Sequence, residues 1–336
     1  MMTVRRGHRL AALISVCAAG IALAVLRPPA SAAAASAVSS VEFTTFAVLQ
    51  SGAPASWFVR GAIHMERQVA LGSASLHLTL DPGVVLDLTG AGATQWSSGV
   101  TEAYIQRPVG PVDLRVGVER LPLETARLMV PFSVEPGDAL GTRLGRAGVR
   151  AAWTPDAATR VRAALLEHSG AVLPALSLRR QFSSWELEAH ALLLPGDRTA
   201  VGAGGSGLLG SLVLYGEAWA LTAPADTRYA VGISGSIRNG LWTLETGRAA
   251  ATVPGDVVLD DSIRRQAVGQ IVYRLSEELT VTGTVRAFLD DGPERGQAIV
   301  QVSQAIGDTQ YAISLIFLVG TGPPRGIITA GASVSF

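Results

Sequence analysis

Charged side chains recur at every second position of stretches that are otherwise apolar. Arg115 and Glu119 lie in V-D-L-R-V-G-V-E, Arg160 and Arg162 in R-V-R-A-A-L-L, and Glu186, Glu188 and His190 in W-E-L-E-A-H-A-L-L. Arg150, Arg179, Arg274 and Arg286 lie in segments of the same kind. Guanidinium and carboxylate groups placed this way do electrostatic work: they attract, orient and select ions. Bond-making chemistry needs a positioned nucleophile and base. His64, His77, His168 and His190 show neither G-x-S-x-G nor H-E-x-x-H spacing, and Ser169 beside His168 is mere adjacency. The acidic pairs Asp260-Asp261 and Asp290-Asp291 are too sparse for a metal site. The Gly202–Gly207 run precedes no helical pattern and so is no phosphate loop. Cys17 is the only cysteine, which rules out a disulfide framework and a Cys-based metal centre. The residues therefore offer no catalytic group, no cofactor and no metal.

The elements that carry these charges read as strands. Val112, Leu114, Val116 and Val118 alternate with Asp113, Arg115, Gly117 and Glu119, and Trp185, Leu187, Ala189, Ala191 and Leu193 with Glu186, Glu188 and His190. Ala267, Gly269, Ile271, Tyr273 and Leu275 alternate with Gln266, Gln270 and Arg274. Leu279, Val281, Val285 and Ala287 do so with Thr280, Thr282, Thr284 and Arg286. A period of two is the strand signature. Segments of about ten such residues between turns are the pattern of a membrane barrel. A single strand of this kind also suits a water-soluble sandwich. However, 48% of the residues are hydrophobic, and no apolar run after Leu26 reaches the roughly 20 residues a spanning helix needs. Backbone groups in lipid must be satisfied internally, so a closed barrel is the remaining way to span.

Both ends of the chain agree. Arg5, Arg6 and Arg9 precede an apolar stretch from Leu10 to Leu26, then Pro28-Pro29 and an Ala/Ser run with A-x-A patterns. That is a secretory signal peptide, cut after Ala37. The Arg5-Arg6 pair lacks the wider twin-arginine motif, and Val16 is too bulky for a lipoprotein signal at Cys17. At the other end, Ile328, Ala330, Ala332, Val334 and Phe336 alternate with Thr329, Gly331, Ser333 and Ser335. This strand, ending in an aromatic, resembles the closing strand of bacterial outer-membrane β-barrels, and with the strand rhythm the chain resembles the porin-like members of that group. The resemblance implies that Phe336 is the signal read by the barrel-assembly machinery, that the partners are outer-membrane lipid and small solutes or ions, and that the location is the outer membrane. Homo-oligomers, often trimers, are common among porins, and nothing in the residues fixes a number. Losing the four signal arginines leaves 23 against 27 acidic residues, a net charge of −4 without a nucleic-acid footprint.

Turn signals set the topology. Working back from a periplasmic Phe336, Gly307-Asp308, Ser276–Glu278, Asn239-Gly240, Ser206-Gly207, Ser183-Ser184, Pro155–Ala158, Pro108–Pro111 and Asp81–Gly83 fall inside. Gly320–Gly326, Asp290–Gly296, Ala249–Ile263, Ala223–Thr227, His168–Leu173, Arg120–Gly145 and Ala91–Ser98 fall outside. The expected fold is all-β: one transmembrane antiparallel up-and-down barrel of about 18 strands over residues 57–336, or 16 with one strand pair misread. Val41–Leu49 also alternates, but counting it makes the number odd, so residues 38–56 are left as a periplasmic segment. Trp57, Trp96, Trp153, Trp185, Trp219 and Trp242 fall near strand ends, where an interfacial girdle would sit.

The longest connection, Glu119 to Asp138, carries Leu121, Leu123, Leu128, Met129, Val130, Phe132 and Val134. It is too apolar for an ordinary solvent loop. Either it folds into the barrel, with Arg120, Glu124 and Arg127 facing the pore, or it caps the outside with Arg127 paired to Glu124. Porins resembling this chain use such a loop as a constriction. The function expected is passive diffusion of small hydrophilic solutes. A plugged structural barrel and a substrate-selective transporter are the alternatives. An arginine patch at Arg150, Arg160, Arg162 and Arg179 would favour anions.

Overall fold

The computed structural model describes residues 37–50, 56–88, 94–97, 100–121, 123, 128–133, 144–168, 171–222, 225–251, 263–290, 294–320 and 325–335. Every regular element among them is a strand. In chain order they are β1 (Ala37–Gln50), β2 (Ser56–Leu71), β3 (Ala74–Leu80), β4 (Gly83–Asp87), β5 (Gln95–Ser97), β6 (Val100–Val109), β7 (Val112–Glu119) and β8 (Met129–Val130). Then follow β9 (Arg146–Asp156), β10 (Thr159–His168), β11 (Ala171–Phe182), β12 (Trp185–Leu194), β13 (Arg198–Leu209), β14 (Leu212–Thr222) and β15 (Ala225–Ile237). The last are β16 (Gly240–Ala251), β17 (Arg264–Arg274), β18 (Leu279–Phe288), β19 (Glu294–Ile306), β20 (Thr309–Gly320) and β21 (Arg325–Ser335).

Each wall strand pairs antiparallel with its neighbours, and β21 pairs β1 from Ser40↔Ser335 to Gln50↔Arg325, which closes the sheet on itself. β3 and β4 lie one after the other along β2, and β5 and β6 share the next position. β8 stands apart and, among the described residues, pairs only with the end of β16. The wall is thus an 18-strand barrel, and closure leaves no edge to be satisfied by lipid.

The expected number was reached with two different strands. β1 covers Val41–Leu49 and is the strand that seals the barrel, not a segment outside it. Asp81–Gly83, read as a turn from its D-P-G composition, is instead a break within one wall position. Pro82 has no N–H to give, yet its carbonyl still accepts from Ile63 N–H at 3.0 Å, and the chain runs on in the same direction as β4. One strand was counted too many there and one too few at β1, so parity was preserved. The Gly-rich strand β13 also continues through Ser206 and Gly207 to a turn at Gly210-Ser211, and the hairpin loop expected at Asn239-Gly240 is Arg238-Asn239. Glycine explains the first shift. Gly202 lies flat under the Trp219 ring, where a Cβ would come within 2.5 Å, and Gly207 lies under Trp185. These glycines are platforms for aromatic side chains and do not mark a turn.

Connections at one end of the barrel are two to four residues long, such as 72–73, 110–111, 157–158 and 275–278. The other end carries 120–145 and 252–263. In outer-membrane barrels the short turns face the periplasm. Large apolar side chains cover the outer wall all round, among them Val116, Leu165, Leu187, Leu244, Val285 and Phe317. Soluble monomers rarely expose such a band; lipid is the solvent that suits it. Trp57, Trp153 and Trp185 are exposed at strand ends, as a girdle requires, but Trp219 is 1% exposed and points inward.

One wall position is unforgiving. Gly117 has φ +140°, and a Cβ there would lie 2.2 Å from the Ala103 carbonyl oxygen and 2.7 Å from Tyr104 Cα. Gly117→Ala is expected to destabilise the barrel by about 1–3 kcal/mol, read as an earlier urea midpoint of the refolded protein. An unchanged midpoint would show that the strand absorbs the methyl group.

Candidate functional site: the barrel lumen

The inward positions of β7, β9, β10, β11 and β12 make a basic wall. Arg115 Nη1 meets Glu119 Oε1 at 2.5 Å, and its Nε lies 3.5 Å from Asp113 Oδ2. Arg150 meets the same Glu119 oxygen at 2.8 Å and donates to the Arg120 carbonyl at 2.9 Å. Arg179 pairs with Glu186 and, at 3.3 Å, with Glu188, whose other oxygen lies 3.4 Å from His190 Nε2. Arg160 and Arg162, between these two clusters on β10, enter no ion pair among the described residues, and the Nε of each has no hydrogen-bond partner. Register explains the clustering: Arg160 pairs with Arg179 and Arg115 with Arg150 across neighbouring strands. Like charges directly opposite repel. Glu119, Glu186 and Glu188 neutralise the flanks, and the uncompensated charge concentrates on Arg160 and Arg162.

The long connection enters the lumen. Leu128 N–H donates to both carboxylate oxygens of Glu245, at 2.9 and 3.0 Å, and β8 pairs with Ala250 and Ala251 of β16. Leu128 and Met129 are buried against Ala230, Ala249 and Val268, all inward positions. On the other side Leu121, Leu123 and Phe132 pack on Ala164, Leu166, Leu173, Leu192, Ala200 and Trp219. Phe132 stacks on Trp219 with ring centroids 4.5 Å apart, and Trp219 stacks on His190 at 5.3 Å. Of the two sequence-based readings of this loop, the inward one holds for its described part. Glu245 is the polar anchor. Glu245→Ala leaves the Leu128 N–H without its acceptor, at a cost of about 1–3 kcal/mol. We expect faster limited proteolysis within residues 120–145, and an unchanged cleavage rate would show that apolar packing alone holds the loop.

A third polar surface lies where β1, β2, β3 and β6 meet. A cavity of about 390 Å³ is lined by Glu42, Arg60, His64, Asp81, Thr101 and Arg120, among others. His64 Nδ1 and Asp81 Oδ1 are 2.5 Å apart, and the Thr101 hydroxyl donates to Asp81 Oδ2 at 2.8 Å. Asp81 stands between the other two side chains, so this is not a nucleophile–base–acid relay. It ties the strand break to its neighbours.

The expected lumen residues Arg115, Glu119, Arg150, Arg160, Arg162, Arg179, Glu186, Glu188 and His190 lie together on the basic wall. Arg286 sits across from them, donating to Gln297 Oε1 at 3.1 Å. Arg274 shares the inward parity but is exposed at the short-turn rim. Arg120 lines the third cavity, 4.0 Å from Glu102. Glu124, Arg127 and Phe336 lie outside the described residues. Residue-type reasoning passed over Glu217, Glu245 and Gln297, all buried and inward; the alternation Thr243, Glu245, Gly247 marks Glu245 as inward but does not mark it as the anchor of the loop. Among the described residues no cluster of three metal-ligating side chains occurs. Asp290 instead accepts from the Arg265 side chain and backbone, at 2.8 and 2.5 Å, and these bonds hold its carboxyl below the usual carboxylate range.

No family model and no curated protein matches the sequence. The fold has counterparts among solved structures. OccK9 (OpdG) of Pseudomonas aeruginosa is 11% identical, with 90% of this chain and 98% of that chain covered and a TM-score of 0.62. The outer membrane protein OpdK of the same organism is 9% identical, covering 90% and 99%, with a TM-score of 0.59. OccAB4 of Acinetobacter baumannii is 10% identical, covering 92% and 100%, with a TM-score of 0.61. Likeness at this identity is likeness of fold.

Proposed function

We propose that the chain is an outer-membrane channel, exported by residues 1–37, through which small hydrophilic solutes diffuse, with a preference for anions. The observation that carries the proposal is the uncompensated Arg160–Arg162 pair facing the interior of a closed 18-strand barrel. Barrels of 16–18 strands are wide enough to leave an aqueous channel, and charged lumen rings select ions. The inward loop narrows the path, so permeation is restricted to small solutes. The apolar packing of Leu121, Leu123 and Phe132 on the wall also favours a second reading, a substrate-selective barrel that stays shut until its solute arrives. Planar-bilayer recording of the refolded protein, residues 38–336, separates the two. Stable ohmic steps in salt alone support the open channel. A folded barrel that passes no current until a solute is added moves the function to the second reading.

A further inference from the structure

The ladder between β11 and β12 stops early. It runs from Phe182↔Trp185 to Ala175↔Leu192, while β11 continues to Ala171 and β12 to Leu194. The next pair in register would be Pro174 with Leu193. Pro174 has no N–H for a ladder bond, and the pairing ends beside it, whereas the β10–β11 ladder passes Pro174 unbroken to His168↔Ala171. The break lies near the loop ends of the two strands, at the start of β11 and the end of β12. Val172 and Leu193, which flank it on the outer wall, are 66% and 55% exposed and wholly apolar.

Two further observations meet at this seam. On the lipid side, small residues leave a groove of about 510 Å³, where Ala151, Ala163, Pro174 and Ala191 lie between Leu165 and Leu176. That volume suits a small ligand, and apolar side chains surround it. On the lumen side, the same strands point Leu166, Leu173 and Leu192 inward, where a water-filled barrel ordinarily carries polar groups. Leu173 and Leu192 are completely or almost completely buried, covered by Leu121, Leu123 and Phe132 of the inward loop. The wall here is apolar on both faces and unlaced between them.

We propose that the β11–β12 seam is a lateral portal, by which small uncharged apolar solutes, such as a single aromatic ring or a short hydrocarbon chain, pass from the lumen into the bilayer. The solute displaces Phe132 from Trp219, crosses beside Pro174 and enters the outer groove. Polar solutes are refused because the wall from Leu173 and Leu192 to the outer groove is apolar and an unpaired polar group there would lose its water. Water and ions keep to the charged path past Arg160 and Arg162, so the portal is distinct from the ion conductance proposed above.

The test stitches the seam. The only cysteine is Cys17, so Pro174→Cys with Leu193→Cys meets no competing thiol in residues 38–336. A second variant, Ala163→Trp with Ala191→Trp, fills the groove without needing a bond to form. Each is expressed in cells lacking other large porins, and entry of the apolar fluorophore N-phenyl-1-naphthylamine is followed, alongside potassium chloride conductance of the purified barrels. Cells with the unmodified chain are expected to take up the dye faster than cells with empty vector. Both variants should fall to the empty-vector rate at unchanged conductance, and a reductant should restore the disulfide form. Dye entry at the unmodified rate in both variants, or no faster with the unmodified chain than with empty vector, overturns the portal whatever the conductance.

Discussion

Deleting Pro122–Pro136 raises single-channel conductance by about twofold or more, because the described residues of this segment pack inside the lumen. Leu123, Leu128, Met129 and Phe132 all lie within it and all are buried against inward wall positions. Among the described residues the wall does not depend on the segment: apart from β8 on β16, the loop contributes no strand to the ladder there. The deletion uncovers Leu166, Leu173, Leu192 and Trp219 to water, at about 25 cal/mol per Å² of apolar surface. Some loss of thermal stability is therefore expected with the gain in conductance. The pair Glu245→Ala and Phe132→Ala removes the polar anchor and the aromatic dock without shortening the chain. It should convert steady current into current with large fluctuations as the loop leaves and returns. Equal conductance before and after the deletion would place the narrowest section elsewhere and end the role of this loop as a constriction.

The sequence showed the barrel because lipid leaves a chain few choices. Alternation survives in β7, β12, β17 and β18 since one face meets hydrocarbon and the other meets water or ions, and the face each side chain takes followed from residue types alone. It misled where composition and geometry part. D-P-G at Asp81–Gly83 has turn chemistry, but it lies between strands long enough to carry the ladder past the break. Trp219 reads like a girdle tryptophan by position near a strand end. Its partner Gly202 and the incoming Phe132 turn it into part of the lumen. The basic wall was legible because arginines stand out at alternate positions. The anchor Glu245 was not, because its role is set by Leu128, 117 residues earlier, and no local pattern records a contact of that range. The apolar residues of the long loop signalled burial, while the surface they bury against came only from the closed wall.

Arg160→Ala with Arg162→Ala abolishes the anion preference and leaves the channel unselective or weakly cation-selective. The two guanidinia are the inward cations on the basic wall without a carboxylate partner among the described residues, whereas Glu119 holds Arg115 and Arg150, and Glu186 and Glu188 hold Arg179. A unit charge 4 Å from a passing ion is worth about 1 kcal/mol even in bulk water, about a fivefold change in local anion concentration, and a narrowed lumen gives more. The measurement is the reversal potential in a potassium chloride gradient. The unmodified channel should show an anion-directed potential that shrinks as salt approaches 1 M, where charges are screened within about 3 Å. The double variant should sit near zero, with Glu119, Glu186 and Glu188 tipping any remainder towards cations. Arg274→Ala, at the exposed rim, should move the potential little. A cation preference in the unmodified channel that persists in the double variant would show that the acidic groups govern the lumen and that Arg160 and Arg162 lie off the permeation path.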